Sequence, residues 1–327
     1  MRAGAAAVAT VLLALSLGTP EPSASAPVAV LQRAGAMTLA VLRRDGIVMP
    51  FAAFDGRRWR APWPAGISSQ ELPISIRDVP RQWWGGTPLP ERMTLWTNGA
   101  RAGEVALQGV TTLPLMCEPR IALRSDYTSP APLPPPFERP YPKDGLLVHG
   151  DATVHPIASV QKDSPDWQRM PAVIADEFNR AETRAATQFT RWIHPVPAER
   201  RRLRPIAVEA MYRTPGESPD SMTWFVEAVR EYPPGPDETD GCGLVTYGHG
   251  WVFSDAKKRL TVRLSARVTY CDRKDVAYVL PFGYVQANDR IYWVYQYSGH
   301  DEELYEVARP TPREIEYPVV YRAGVCR

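Results

Sequence analysis

Histidine, lysine and cysteine are all scarce in this 327-residue chain, with five, five and four copies. So few histidines leave little material for a metal centre, and no HExxH pair occurs. His149-Gly150-Asp151 with His155 is the nearest grouping, and no metal site is expected from it. No CxxC is present, and no His–Cys spacing resembles a zinc site. GxSxG, the P-loop and GxGxxG are also missing, which removes the usual signatures of serine hydrolases and nucleotide binders. Ser298-Gly299-His300-Asp301 holds all three residue types of a triad, but adjacent residues rarely aim their side chains at one point. The formal net charge of +2 argues against an extended nucleic-acid surface. No cofactor is expected.

Long apolar runs are missing too, with one exception. Arg2 precedes an unbroken apolar and small-residue run from Ala5 to Leu17, ended by Gly18-Thr19-Pro20. This is the pattern of a signal-peptide core, too short for the roughly 20 residues of a bilayer span. Ala24-Ser25-Ala26 resembles a cleavage site. The expectation is a signal peptide over 1–26 and a periplasmic or secreted protein with no transmembrane segment in the mature chain. Arginine outnumbers lysine thirty-three to five. A GC-rich bacterial genome produces such a bias without functional meaning. An even set of widely spaced cysteines in an exported chain reads as two disulfides.

Proline is the residue in excess. Its 34 copies are twice the average usage of roughly 5% and make long helices rare. Residues 27–128 read as a small β-rich domain, with hairpin turns at Asp45-Gly46 and Asp55-Gly56. Trp59, Trp63, Trp83 and Trp84 fall in its irregular, Pro/Gly-rich stretch. The turn Asp55-Gly56-Arg57-Arg58-Trp59 occurs once, without a blade-length period, so no propeller is expected. Seven prolines among the fifteen residues 129–143 favour extended polyproline structure, read as a linker over 129–144.

Residues 145–327 read as an α+β domain. Ser164-Pro165-Asp166 starts a helix, and Ile174, Phe178, Ala181, Ala185 and Phe189 mark one buried stripe, with Pro171 suggesting a kink. Two long hairpins follow. A turn at Asp255–Lys258 pairs Phe253 with Leu260 and Trp251 with Val262, and sets Cys242 opposite Cys271. Cys117 and Cys326 pair by elimination. A turn at Asn288-Asp289 opposes Tyr284 to Trp293 and Phe282 to Tyr295. The fold class is therefore β-rich α+β, with antiparallel sheets and one main helix packed on the C-terminal sheet.

No residue declares itself catalytic. Glu209, Glu227 and Asp275 are acids within strands, as any half-wet strand provides. Asp237-Glu238-Thr239-Asp240-Gly241 lacks EF-hand spacing, and Arg200-Arg201-Arg202 with Arg204 reads as a solvated basic loop. Export, disulfides and abundant aromatics point to a non-catalytic binding or structural module. Trp59, Trp63, Trp83 and Trp84 are its candidate ligand-binding face, and a glycan or another envelope protein its candidate partner. The alternative is a secreted hydrolase whose carboxylates or His300 act in a cleft between the two domains.

Overall fold

Turns written into the sequence fold most of this chain into hairpins. The computed structural model describes residues 35–64, 75–86, 89–136, 138–188, 194–234 and 242–326. The expected signal segment 1–26, Phe189 and the acidic loop 237–241 lie outside them. The first strands are β1 (Met37–Arg43), β2 (Ile47–Phe54), β3 (Trp59–Arg60), β4 (Arg92–Thr97), β5 (Ala100–Leu115), β6 (Glu118–Ser125) and β7 (Lys143–His149). Two short strands, β8 (Val154–His155) and β9 (Ala158–Ser159), precede helices α1 (Pro165–Ala186) and α2 (Ala198–Arg202). Next come β10 (Ala207–Pro215), β11 (Met222–Glu231), β12 (Leu244–Ser254) and β13 (Leu260–Tyr270). The last four are β14 (Ala277–Ala287), β15 (Arg290–Gly299), β16 (Glu302–Pro310) and β17 (Ile315–Val325).

The first seven strands run in the order β1-β7-β4-β5-β6-β2-β3, and β1 also pairs with β2. Six of them therefore close into an antiparallel barrel, with β3 appended to β2. Asn98-Gly99 makes the β4–β5 turn with both residues at positive φ, 50° and 76°, the left-handed pair a two-residue hairpin requires. A side chain at Gly99 would also overlap Pro156. The Pro-rich stretch 129–144 joins β6 to β7, two strands of this one barrel, and Arg33–Arg327 forms a single compact unit. Within that stretch Tyr141 is buried beneath the Arg43 guanidinium, which lies 3.8 Å from the ring centre.

The other strands build two five-stranded antiparallel meanders, an outer sheet β13-β12-β11-β10-β9 and a central sheet β17-β16-β15-β14-β8. The β12–β13 register is one residue away from the expected one: Ser254 faces Leu260 and Trp251 faces Arg263. The reason is the turn. Asp255 accepts from the backbone N–H of Lys257 and of Arg259 through its carboxylate, and its own N–H reaches the Arg259 carbonyl, so the loop holds one more residue than a four-residue turn. A one-residue slip exchanges the faces of every side chain. The Cys242–Cys271 bridge forms nonetheless, because both cysteines lie just beyond the ladder, with Cα atoms 5.4 Å apart. In the β14–β15 hairpin Asn288 and Asp289 both take positive φ and Tyr284 faces Trp293. Phe282 forms a bulge, so Tyr295 faces Pro281.

The layers stack helix, outer sheet, central sheet, barrel. Helix α1 starts where Ser164 accepts from the Trp167 N–H, and it runs through Pro171 without a break. Pro171 removes one rung of the helix ladder, while Met170, Ile174 and Phe178 hold the helix on Trp224, Val226 and Val252. Phe178 sits over Gly248, where any side chain would collide with its ring. Beside it Glu182 is buried and accepts from Arg230 at 2.8 Å, from Arg201 at 3.2 Å and from the Tyr232 hydroxyl. On the other side of the central sheet, Tyr305, Val307 and Tyr321 share one core with Phe51 and Leu39 of the barrel. Cys117 of the barrel is bonded to Cys326 after the last strand.

Candidate functional site

A sheet exposes a row of unpaired N–H and C=O groups at each edge, and proteins normally blunt such rows with closure, short strands, proline or bulges. The barrel is closed apart from two-residue β3. Two-residue stubs, β8 and β9, end one side of each meander. The other end of the central sheet, β17, contains Pro318, and its pairing with β16 shifts register at two points. Strand β13 has none of these devices. It offers an eleven-residue edge without proline, in unbroken register with β12. Among the described residues it is the one long edge with neither closure, shortening, proline nor bulge, although α1 packs along it and Arg184 occupies one of its outward carbonyls.

The direction of that edge follows from one hydrogen bond. The Leu264 carbonyl accepts from Arg184 Nη2 at 3.3 Å, so it points away from β12. Backbone groups two residues apart point the same way, so Val262, Ala266 and Val268 also present theirs outward. The side chains of Val262, Leu264 and Ala266 pack toward α1, while Thr261, Arg263, Ser265 and Arg267 occupy the opposite, exposed face.

Two clefts flank the strand. One, of ≈ 500 Å³, runs along Thr261–Ser265 and is walled by His249, Trp251, Ile315 and Tyr317. The second, of ≈ 460 Å³, runs along Arg267–Tyr270 and is walled by Ala185, Gln188 and Leu244.

Behind the first cleft lies a polar layer between the two sheets. Glu227 and His249 are direct cross-strand partners. Glu227 accepts from the Val279 N–H at 2.7 Å, across from one sheet to the other. Burial pushes its carboxyl up to about 7, with Glu209 adding repulsion, against the Val279 N–H and the Tyr247 hydroxyl. His249 moves the other way, down to about 4, through burial and then the Arg267 charge. The imidazole is therefore neutral at neutral pH. Its Nδ1 is sealed without a partner, and Tyr247 and Tyr297 rings lie 5.5 and 5.9 Å away. Glu306, on the facing sheet, is also raised by burial, with Tyr295 opposing and Glu302 reinforcing.

The four tryptophans singled out as a binding face sit elsewhere. Trp63 and Trp84 are buried in the barrel core, and Trp63 Nε1 donates to the Ile121 carbonyl at 3.0 Å. Trp63 meets Trp83 and Trp84 edge-on at 5.8 and 6.1 Å, with Trp83 half-buried. Trp59 is buried against Tyr292 of the central sheet. Together they hold the irregular segment onto the barrel. Ser298 is buried, whereas His300 and Asp301 lie on an exposed turn, 3.7 Å apart. Glu209 is paired with Arg273 at 2.7 Å, and Arg201 belongs to the Glu182 network rather than to a basic surface. His155 stacks on Tyr284, and no metal-ligating cluster occurs among the described residues. Of the three acids read as strand residues, Glu227 is buried behind the first cleft, and Asp275 sits in the turn between β13 and β14, where it borders the second. His249, Arg263, Arg267 and Tyr317 were not legible as site residues, since edge position is a property of the sheet rather than of local sequence.

Comparison with family models, with curated proteins and with solved structures returns no match.

Proposed function

We propose that this protein is a non-catalytic extracytoplasmic binding module that holds an extended segment of another envelope protein along β13. One observation carries this reading: β13 is the long described sheet edge without proline, bulge or shortening, and clefts lie along both halves of it. Strand addition satisfies backbone groups on both partners and reads alternate side chains in adjoining pockets. Two disulfides, and the lack of any helix among the described residues long and apolar enough to cross a membrane, fit the compartment. Mass spectrometry of the protein from its natural host should find an N-terminus near residues 20–30.

Amide hydrogen exchange tests the edge. With a nine-residue strand-forming peptide as probe, the Val262, Ala266 and Val268 amides should gain protection. A copy of the peptide N-methylated at alternate residues, and the variant Ala266→Pro, should show none. A glycan ligand would instead occupy the cleft at His249 and Tyr317 and leave those amides unprotected, which would sink the strand reading.

Glu227 favours a second reading, a hydrolase, because a buried carboxyl titrating near 7 suits a general acid. Turnover of any ester, peptide or glycoside that Glu227→Gln abolishes while leaving binding intact would establish it.

A further inference from the structure

Resting on the docking edge proposed above, we propose that its partner segment is acidic, with carboxylates four residues apart on one face. The argument is a balance of charge along β13. Arg259, at one end, is neutralised by Asp255 at 2.6 Å. Arg184, reaching the edge from α1, is neutralised by Glu177 at 2.9 Å. Arg263 and Arg267 differ. Arg263 donates only to backbone carbonyls, of Pro312 at 2.8 Å and of Arg313. Arg267 donates to the Asp275 carbonyl at 2.7 Å. Neither guanidinium has a carboxylate within ion-pair distance among the described residues, although this chain pairs most of its other strand arginines. The Asp275 carboxylate borders the second cleft, and Glu177 borders the first but is already committed to two arginines.

The two arginines share the exposed face of β13. Four residues of extended chain span roughly 13 Å. A strand added beside β13 places its own residues directly opposite at the same spacing, so two acids at i and i+4 meet the two cations. Between them the partner's residue i+2 faces Ser265, where a small or branched side chain fits beside His249 and Tyr317. The intervening residues face the helix side. Carbonyl contacts hold both guanidinium groups in place beforehand, which lowers the ordering penalty of a charged hydrogen bond.

The probe is acetyl-Val-Thr-Glu-Thr-Val-Thr-Glu-Thr-Val-amide, compared with versions carrying Gln or Lys in place of both Glu, on the full folded protein by fluorescence anisotropy. The Glu peptide should bind at least tenfold more tightly than the Gln peptide, and the Lys peptide should bind most weakly. The preference should shrink several-fold between low and high salt. Arg267→Gln alone, and Arg263→Gln with it, should bring Glu and Gln peptides together. Because the charge is also varied on the peptide, a variant that fails to fold does not decide the matter. Equal binding of the Glu and Gln peptides, with edge amides protected by both, overturns the acidic preference and leaves the docking edge standing. No binding of any peptide overturns both.

Discussion

The two faces of the central sheet bury polar groups in opposite ways. Toward the barrel, Lys143 and Glu303 are nearly inaccessible and lie 2.9 Å apart as an ion pair. The Tyr305 hydroxyl completes the shell of Glu303, and burial lowers the Lys143 pKa while Glu303 opposes that. Toward the outer sheet, Glu227 and Glu306 are buried with no basic side chain among the influences on either, and His249 is held neutral. A paired buried charge is brittle but indifferent to pH near neutrality. An unpaired buried acid or base favours its neutral form and makes stability depend on pH between its unfolded and folded pKa values. The barrel side is thus a clamp, and the sandwich side a layer of buried titratable groups without ion-pair partners beneath β13.

The largest expected effect lies on the clamp side. Lys143→Met leaves Glu303 buried and unpaired and should lower unfolding free energy by about 3–5 kcal/mol near neutral pH, measured by urea titration. A loss below about 1 kcal/mol would show that the pair is not the clamp described.

On the sandwich side the pH profile is the test, and its sign differs for the two groups. The folded-state pKa of Glu227 is raised from 4.5 to about 7, so its contribution is present below pH 4.5 and is lost as pH rises through about 7. The folded-state pKa of His249 is depressed from 6.5 to about 4, so its contribution is present above pH 6.5 and is lost as pH falls towards about 4. Each swing is worth about 3 kcal/mol and they oppose one another. His249→Phe should therefore expose a stability that rises as pH falls from neutral, with Glu306 adding in the same sense. Glu227→Gln should expose one that falls more steeply than wild type, which lies between the two. Parallel profiles for all three would refute the contrast between the two faces.

Smaller effects follow at the outer edge. The Cys242–Cys271 bond closes a hairpin already in register, so replacing both by alanine should lower stability by about 1–3 kcal/mol without changing the fold. Ala266→Pro removes only an outward N–H. It should change stability by about 1 kcal/mol or less while abolishing peptide binding. A large loss of stability would mean that this N–H is paired inside the sheet.

Features set by neighbouring residues could be read from the sequence: the Ser164 cap, the Asn288-Asp289 turn and the antiparallel β-rich class; of the cysteine pairs, Cys242–Cys271 followed from the hairpin and Cys117–Cys326 by elimination. What long-range pairing decides could not. Strand β7 is a short apolar run, Leu146-Leu147-Val148, behind the Pro-rich stretch, and only its pairing with β1 and β4 shows that a barrel closes. The β12–β13 register slipped because Asp255 recruits a fifth residue into the turn, which the cysteines, lying outside the ladder, could not reveal. Tryptophans in an irregular stretch look alike whether they face solvent or core. Glu227 was visible only as one acid among several, since its isolation depends on the facing sheet.

The Cys117–Cys326 bond joins residues 209 positions apart and ties the end of β17 to the barrel. Its consequence is mechanical. A pull applied to the chain at Cys326 passes through sulfur into the β5–β6 turn and loads the barrel wall, rather than peeling β17 from β16 one rung at a time. Tension would be carried along covalent bonds around the central sheet, so its hydrogen bonds would not have to unzip in sequence. With the bond reduced, the same pull should strip β17 at far lower force, and a force-clamp record of the oxidised and reduced protein would display the difference as a change in the first rupture step.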